Sequence, residues 1–165
     1  MHRNDASQPH RHDTSQPQRR LLPLAIAYLP VATVGAALSL AYGVGAHPGG
    51  DPAQDLLLRG TALAPPLFLP AALVGAAGLA RQEGWPAAAG TGVVGLVGLA
   101  FMAGSTLNLP NDLDAARAAG SPVGVTIGMA VVHWLVGLGL AGAGMLAIRS
   151  RPEGLSQSAD AGRSL

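Results

Sequence analysis

Asp, Glu, Lys and Arg are absent from four long stretches of this chain, residues 21–46, 61–80, 86–107 and 123–148, so the segments between and around them carry every such residue. A bilayer core of about 30 Å is crossed by about 20 helical residues. Each stretch reaches that length. The pattern therefore predicts an all-α membrane protein, a four-transmembrane-helix bundle occupying residues 21–148 with short loops. Residues 1–20 and 149–165 are polar, hold no apolar period, and read as disordered tails.

Local signals place the boundaries. Asp51-Pro52-Ala53-Gln54 reads as an N-cap, a proline at the first helical position and a Gln three residues after the cap. It predicts a short helix stopping near Gly60, with Leu56, Leu57 and Leu58 toward lipid. The second span contains Pro65, Pro66 and Pro70. Starting it after Pro66 would leave about 21 Å of helix, too short to cross. Residues 61–66 are accordingly expected inside a kinked helix. Ser121-Pro122 repeats the cap-then-proline signal before the fourth span, and Trp85-Pro86 opens the third with its indole at a membrane interface. Asn111 reads as a helix cap, and the loop acids other than Asp51 as solvated charge.

Arginine sets the expected orientation. The N-terminal tail, the 81–85 loop and the C-terminal tail carry eight arginines, whereas the 47–60 and 108–121 loops carry Arg59 and Arg117 alone. The positive-inside rule then puts both termini in the cytoplasm. Arg19-Arg20 before an apolar run is also the start of a twin-arginine export signal. The run is longer than the 7–15 residues or so of a signal core, which favours an uncleaved first span.

Small residues recur at helical spacing within the spans. Tyr28, Ala32, Gly35, Ser39, Tyr42 and Ala46 share a face of the first. Thr91, Gly95, Gly98, Met102 and Ser105 share one on the third, and Thr126, Ala130, His133, Gly137, Ala141 and Gly144 one on the fourth. Such faces let membrane helices approach closely, so Gly35, Gly95, Gly98 and Gly137 are expected at helix contacts. His133 stands out. It lies about 15 Å into its span by helical rise, and intramembrane ionisable groups mark candidate functional sites. A neutral histidine there is expected to share a hydrogen bond with a hydroxyl such as Tyr28, Ser39 or Tyr42. These four residues form the candidate intramembrane polar site.

Composition removes chemistry rather than adding it. There is no Cys, which excludes disulfides, thiolate metal sites and iron–sulfur clusters, and no Lys, which excludes Schiff-base catalysis. A net charge of +1 argues against nucleic-acid partners. No catalytic, cofactor or metal constellation emerges. The tandem octad of residues 2–9 and 10–17, identical at six of eight positions, carries His2, His10 and His12 without the ligand arrangement that would hold a metal. The arginine-only basic set with 23 Gly and 13 Pro fits GC-rich bacterial coding, and a bacterial cytoplasmic membrane is the expected location.

Residues 108–116, Asn-Leu-Pro-Asn-Asp-Leu-Asp-Ala-Ala, resemble the segment after the third helix in anthrone oxygenase-like four-helix membrane proteins. The resemblance covers nine of the 165 residues, and no activity is carried over from it. The leading functional expectation is a non-enzymatic accessory or assembly component whose surroundings are the lipid bilayer and a homo-oligomer or membrane-protein partner. A small transporter or channel subunit is the alternative, from the prolines of span two and His133. A membrane redox enzyme with haem or quinone is the second alternative, through a dimer pairing two His133.

Overall fold

The computed structural model describes residues 16–150. The octad apart from Gln16 and Pro17, and the C-terminal tail apart from Arg149 and Ser150, lie outside these residues. The elements are α1 (Gln16–Arg19), α2 (Leu21–Tyr42), α3 (Pro52–Leu58), α4 (Phe68–Leu79), α5 (Trp85–Leu107), α6 (Leu109–Ala118) and α7 (Val123–Arg149), with no strand among the described residues. α2, α5 and α7 are long and apolar enough to cross a membrane. Their outward faces carry Ile26, Val34, Leu40, Leu96, Leu99, Val131, Leu135 and Leu146, all exposed. An aliphatic belt of this kind is costly in water and suits lipid.

Each boundary has a local cause. α2 stops at Tyr42, four residues before the apolar stretch does, because Gly43 takes the left-handed conformation at φ 68°. Val44 N–H then turns back to the Ser39 carbonyl at 2.9 Å, a Schellman closure. α3 starts where Asp51 accepts hydrogen bonds from Ala53 and Gln54 N–H at 2.8 and 3.3 Å, with Pro52 in the first turn. Only Leu56 of its leucines turns inward; Leu57 and Leu58 are exposed. Asn111 lies within α6 rather than at its start, because Asn108 continues from α5 in helical conformation and opens α6 directly. Ser121 does not cap α7 with its side chain; its hydroxyl is buried with no hydrogen-bond partner.

The second apolar stretch departs most from expectation. Residues 61–66 are not helical, and α4 is only 12 residues long, about 18 Å by helical rise. The reason is donor supply. Pro65 and Pro66 have no N–H and cannot continue a helical ladder. The remaining N–H groups find other acceptors: Gly60 on Asp55 O, Thr61 on Ala64 O, Ala62 on Gly45 O and Leu67 on Leu56 O. Leu63 and Ala64 N–H bond the Thr61 hydroxyl oxygen at 3.3 and 3.1 Å. Thr61 Oγ1 lies 2.6 Å from Ser39 Oγ, which itself donates to the Gly35 carbonyl. With Ser39's proton so placed, Thr61 is the donor of the pair. Ala62, Leu63 and Ala64 are buried, and the Leu63 carbonyl presses on Gly35, where even a methyl group would not fit. Unwound backbone of this kind is tolerated inside a membrane protein only where protein or a cavity satisfies it.

α5 and α7 form the tightest helix pair. A Cβ on Gly98 would lie 2.6 Å from the Gly137 carbonyl oxygen, and a Cβ on Gly137 equally close to that of Gly98. The two backbones touch because neither residue has a side chain. Gly95 is looser, its would-be Cβ 4.0 Å from Gly144 Cα. The core beside this seam joins Leu21, Ala25 and Tyr28 of α2, Leu73, Ala76 and Ala77 of α4, Val94, Val97 and Phe101 of α5, and Leu140 of α7. A second cluster of Val44, Ala62, Leu63 and Ala115 holds the end that carries α3 and α6.

Candidate functional site

A cleft of about 180 Å³ opens at the α3–α6 end. One wall is the unwound segment with Arg59, Thr61, Pro65 and Pro66; the other is α5 with Phe101, Gly104 and Ser105. Asn108 and Asp112 stand over it from the α5–α6 junction, and Ala130 and His133 of α7 form its deep part. A span that stayed helical through 61–66 would fill this space with its own side chains. The proline-driven unwinding leaves it open.

His133 is 9% exposed. A backbone hydrogen bond to Met129, one turn earlier in α7, holds its ring, while Nε2 is buried without a partner. The expected hydroxyl partner does not materialise. Tyr28 comes nearest, but the two rings meet edge to face with centroids 6.0 Å apart, and Tyr28 Oη is itself buried and unpartnered. Phe101 completes the cluster, 5.0 Å from Tyr28 and 6.1 Å from His133 by ring centroids. Ser39 does not join it, since eleven residues of helix, about 16 Å, separate it from Tyr28 and Thr61 occupies it. Tyr42, 39% exposed at the end of α2, is also elsewhere. Of the four candidates, the structure brings together His133 and Tyr28.

Two acids missed by sequence reasoning matter here. Asp55 is buried, not solvated, and its Oδ2 accepts the Ala46 N–H at 2.7 Å. Its backbone carbonyl also accepts from Arg59 and Gly60 N–H. It thereby ties the 43–50 loop to the start of the unwound segment. Asp112 is half-buried at the cleft mouth, and burial pushes its carboxyl up to about 6. No cation pairs with it among the described residues, the ion pair there being Arg117–Asp114 at 2.9 Å on the exposed side of α6. The sequence signal was available for Asp112: in a helix opened by Asn108, it falls one turn on, on the side where Ala115 and Ala116 are buried. Among the described residues no three His, Cys, Asp or Glu gather in a metal-binding group; His47 is exposed, its Nδ1 3.2 Å from the Pro48 carbonyl.

Comparison with known proteins matches no family model, no curated protein and no solved structure. The functional reading therefore rests on the cleft.

Proposed function

We propose that this chain is a small four-crossing protein of a bacterial cytoplasmic membrane, both termini cytoplasmic, that acts as a non-enzymatic binding component. It takes a small polar molecule into the cleft, which opens on the outer side. The observation that carries this reading is a cavity walled by unwound backbone with His133, whose buried Nε2 lacks a partner among the described residues, in its lining. A buried polar atom left without a partner costs about 1–3 kcal/mol, and a ligand able to reach it would recover that cost. α4 and the unwound segment together make the fourth crossing, and the eight-to-two arginine asymmetry supplies the orientation. The Gly98–Gly137 contact is spent within the chain, so it does not speak for a homo-oligomer or a membrane-protein partner. The same unwound segment also supports a second reading, a transporter or channel subunit, since transporters place their sites at broken helices.

The test is a small-metabolite screen by thermal shift on the full chain in mild detergent, with Ala100→Leu as the cleft-filling control. One compound class should raise the melting temperature of the wild type and not of the variant. If no class does, the binding reading fails. Accessibility labelling at residue 118, exposed at the end of α6, checks the orientation; modification only from the cytoplasmic side would reverse it.

A further inference from the structure

The cleft also discriminates among ligands, and this step rests on the binding reading above. We propose that its occupant is a compact organic ammonium ion, held by the Asp112 carboxylate at the mouth, with its remaining donors directed to the unwound backbone and toward His133.

The first argument is size. About 180 Å³ is below the roughly 300–1,000 Å³ of sites for drug-sized ligands. It corresponds to about six waters at about 30 Å³ each. The second is the balance of donors and acceptors. From Arg59 to Ala64 every N–H is already bonded within the protein, and Pro65 and Pro66 have none. This wall therefore offers an anion no free backbone N–H, and although the Ala64 and Pro66 carbonyls already accept from Thr61 and Leu69 N–H, carbonyls are the backbone groups it presents, the kind that receives cations at unwound segments of membrane proteins. His133 adds to the same side: with its ring held through Met129, the free Nε2 of a neutral imidazole is an acceptor.

The third argument is charge. Asp112 is half out of water and has no ion-pair partner among the described residues, whereas Arg59 is exposed and keeps its hydration. A carboxylate in that position gains more from a docked cation than the solvated guanidinium gains from an anion. The titratable groups facing the cleft are Arg59 from the end of α3, Asp112 from α6 and His133 from α7; the lining residues of α4 and α5 carry none. Leu69, Ala100, Phe101 and Ala130 add apolar surface to the lining, which suits the carbon skeleton of an amine better than a bare metal ion.

The experiment is calorimetric titration of the detergent-purified full chain with ethanolamine and 1,4-diaminobutane, against acetate and 1-butanol as anionic and neutral probes of similar size. At pH 7.5 the two amines are expected to bind and the others not. Because Asp112 takes up its proton near pH 6, amine affinity should fall about tenfold or more at pH 5, and by a similar factor in Asp112→Asn, the loss expected for one charge-assisted contact. Arg59→Gln is the second variant; removing a cation from the cleft wall should tighten amine binding. Amine binding that survives both pH 5 and Asp112→Asn, or that is lost in Arg59→Gln, overturns the proposal. Should Asp112→Asn not fold, the pH series and Arg59→Gln decide. Acetate or 1-butanol binding in place of the amines leaves the cleft a binding site and refutes the ammonium assignment. No binding by any probe or screened metabolite refutes both.

Discussion

The α5–α7 seam can be tested with a matched pair of glycines two residues apart. In Gly137→Ala the new methyl carbon would sit 2.6 Å from the Gly98 carbonyl oxygen, 2.9 Å from Met102 Cγ and 3.1 Å from Met102 N. Ordinary contact begins near 3.5 Å, so relieving the clash requires the helices to part by nearly an ångström at this point. Two of the three obstructing atoms are backbone and cannot rotate away. Overpacking of this kind costs about 1–3 kcal/mol, a change of about five- to a hundredfold in the folding equilibrium. Gly139→Ala is the control: nothing lies within 4 Å of its new methyl group, and alanine gains up to about 1 kcal/mol of helix propensity. The propensity gain is common to both variants, so reversible unfolding in mixed micelles should separate them by about 1–3 kcal/mol, Gly137→Ala being the weaker. Gly95→Ala should resemble the control more than its neighbour, with 4.0 Å of clearance to Gly144 Cα. Equal stability of Gly137→Ala and Gly139→Ala would refute the seam.

Three other outcomes are expected. Asp55→Ala leaves the Ala46 N–H without its acceptor and should cost about 1–3 kcal/mol, read as a lower melting temperature together with faster proteolysis of the 43–50 loop; an unchanged loop would show that the carboxylate does not hold it. Asp112 is raised in the folded state above its ordinary 3.8 to about 6, so its contribution favours folding below about pH 4 and is lost as pH rises through 6. The melting temperature of Asp112→Asn should accordingly fall less than that of wild type between those pH values; parallel curves would contradict the burial. His133→Leu removes the unpartnered Nε2 together with the bond from the ring to the Met129 backbone, opposing changes that should leave stability within about 1 kcal/mol, while ligand binding weakens; a loss of several kcal/mol would mean that Nε2 also has a structural partner.

Much of the architecture was legible without coordinates. The charge-free stretches were sufficient for α2, α5 and α7, because a long apolar helix is dictated by composition and hydrogen-bond closure alone. The cap at Asp51 and the proline after it were legible for the same reason, being interactions within a few residues of sequence. What remained hidden was every consequence of a long-range choice. The prolines of residues 61–70 announced a disturbed helix, yet a kink and a full unwinding have the same local signature. The outcome turned on acceptors supplied from far along the chain: Gly45, Asp55 and the Ser39–Thr61 pair. Asp55 and Asp112 look alike as loop acids, and only the packing of α3 and α6 against the bundle end buried the first and half-buried the second. His133 was visible as a buried ionisable residue, but its solitude was not. Of the hydroxyls that the sequence offered it, Ser39 is held by Thr61, Tyr42 is exposed at the end of α2, and Tyr28 meets it only edge to face. Apolar pattern and caps fixed the helices; the tertiary fold decided which polar groups were left unpaired, since pairing depends on distances that no local sequence encodes.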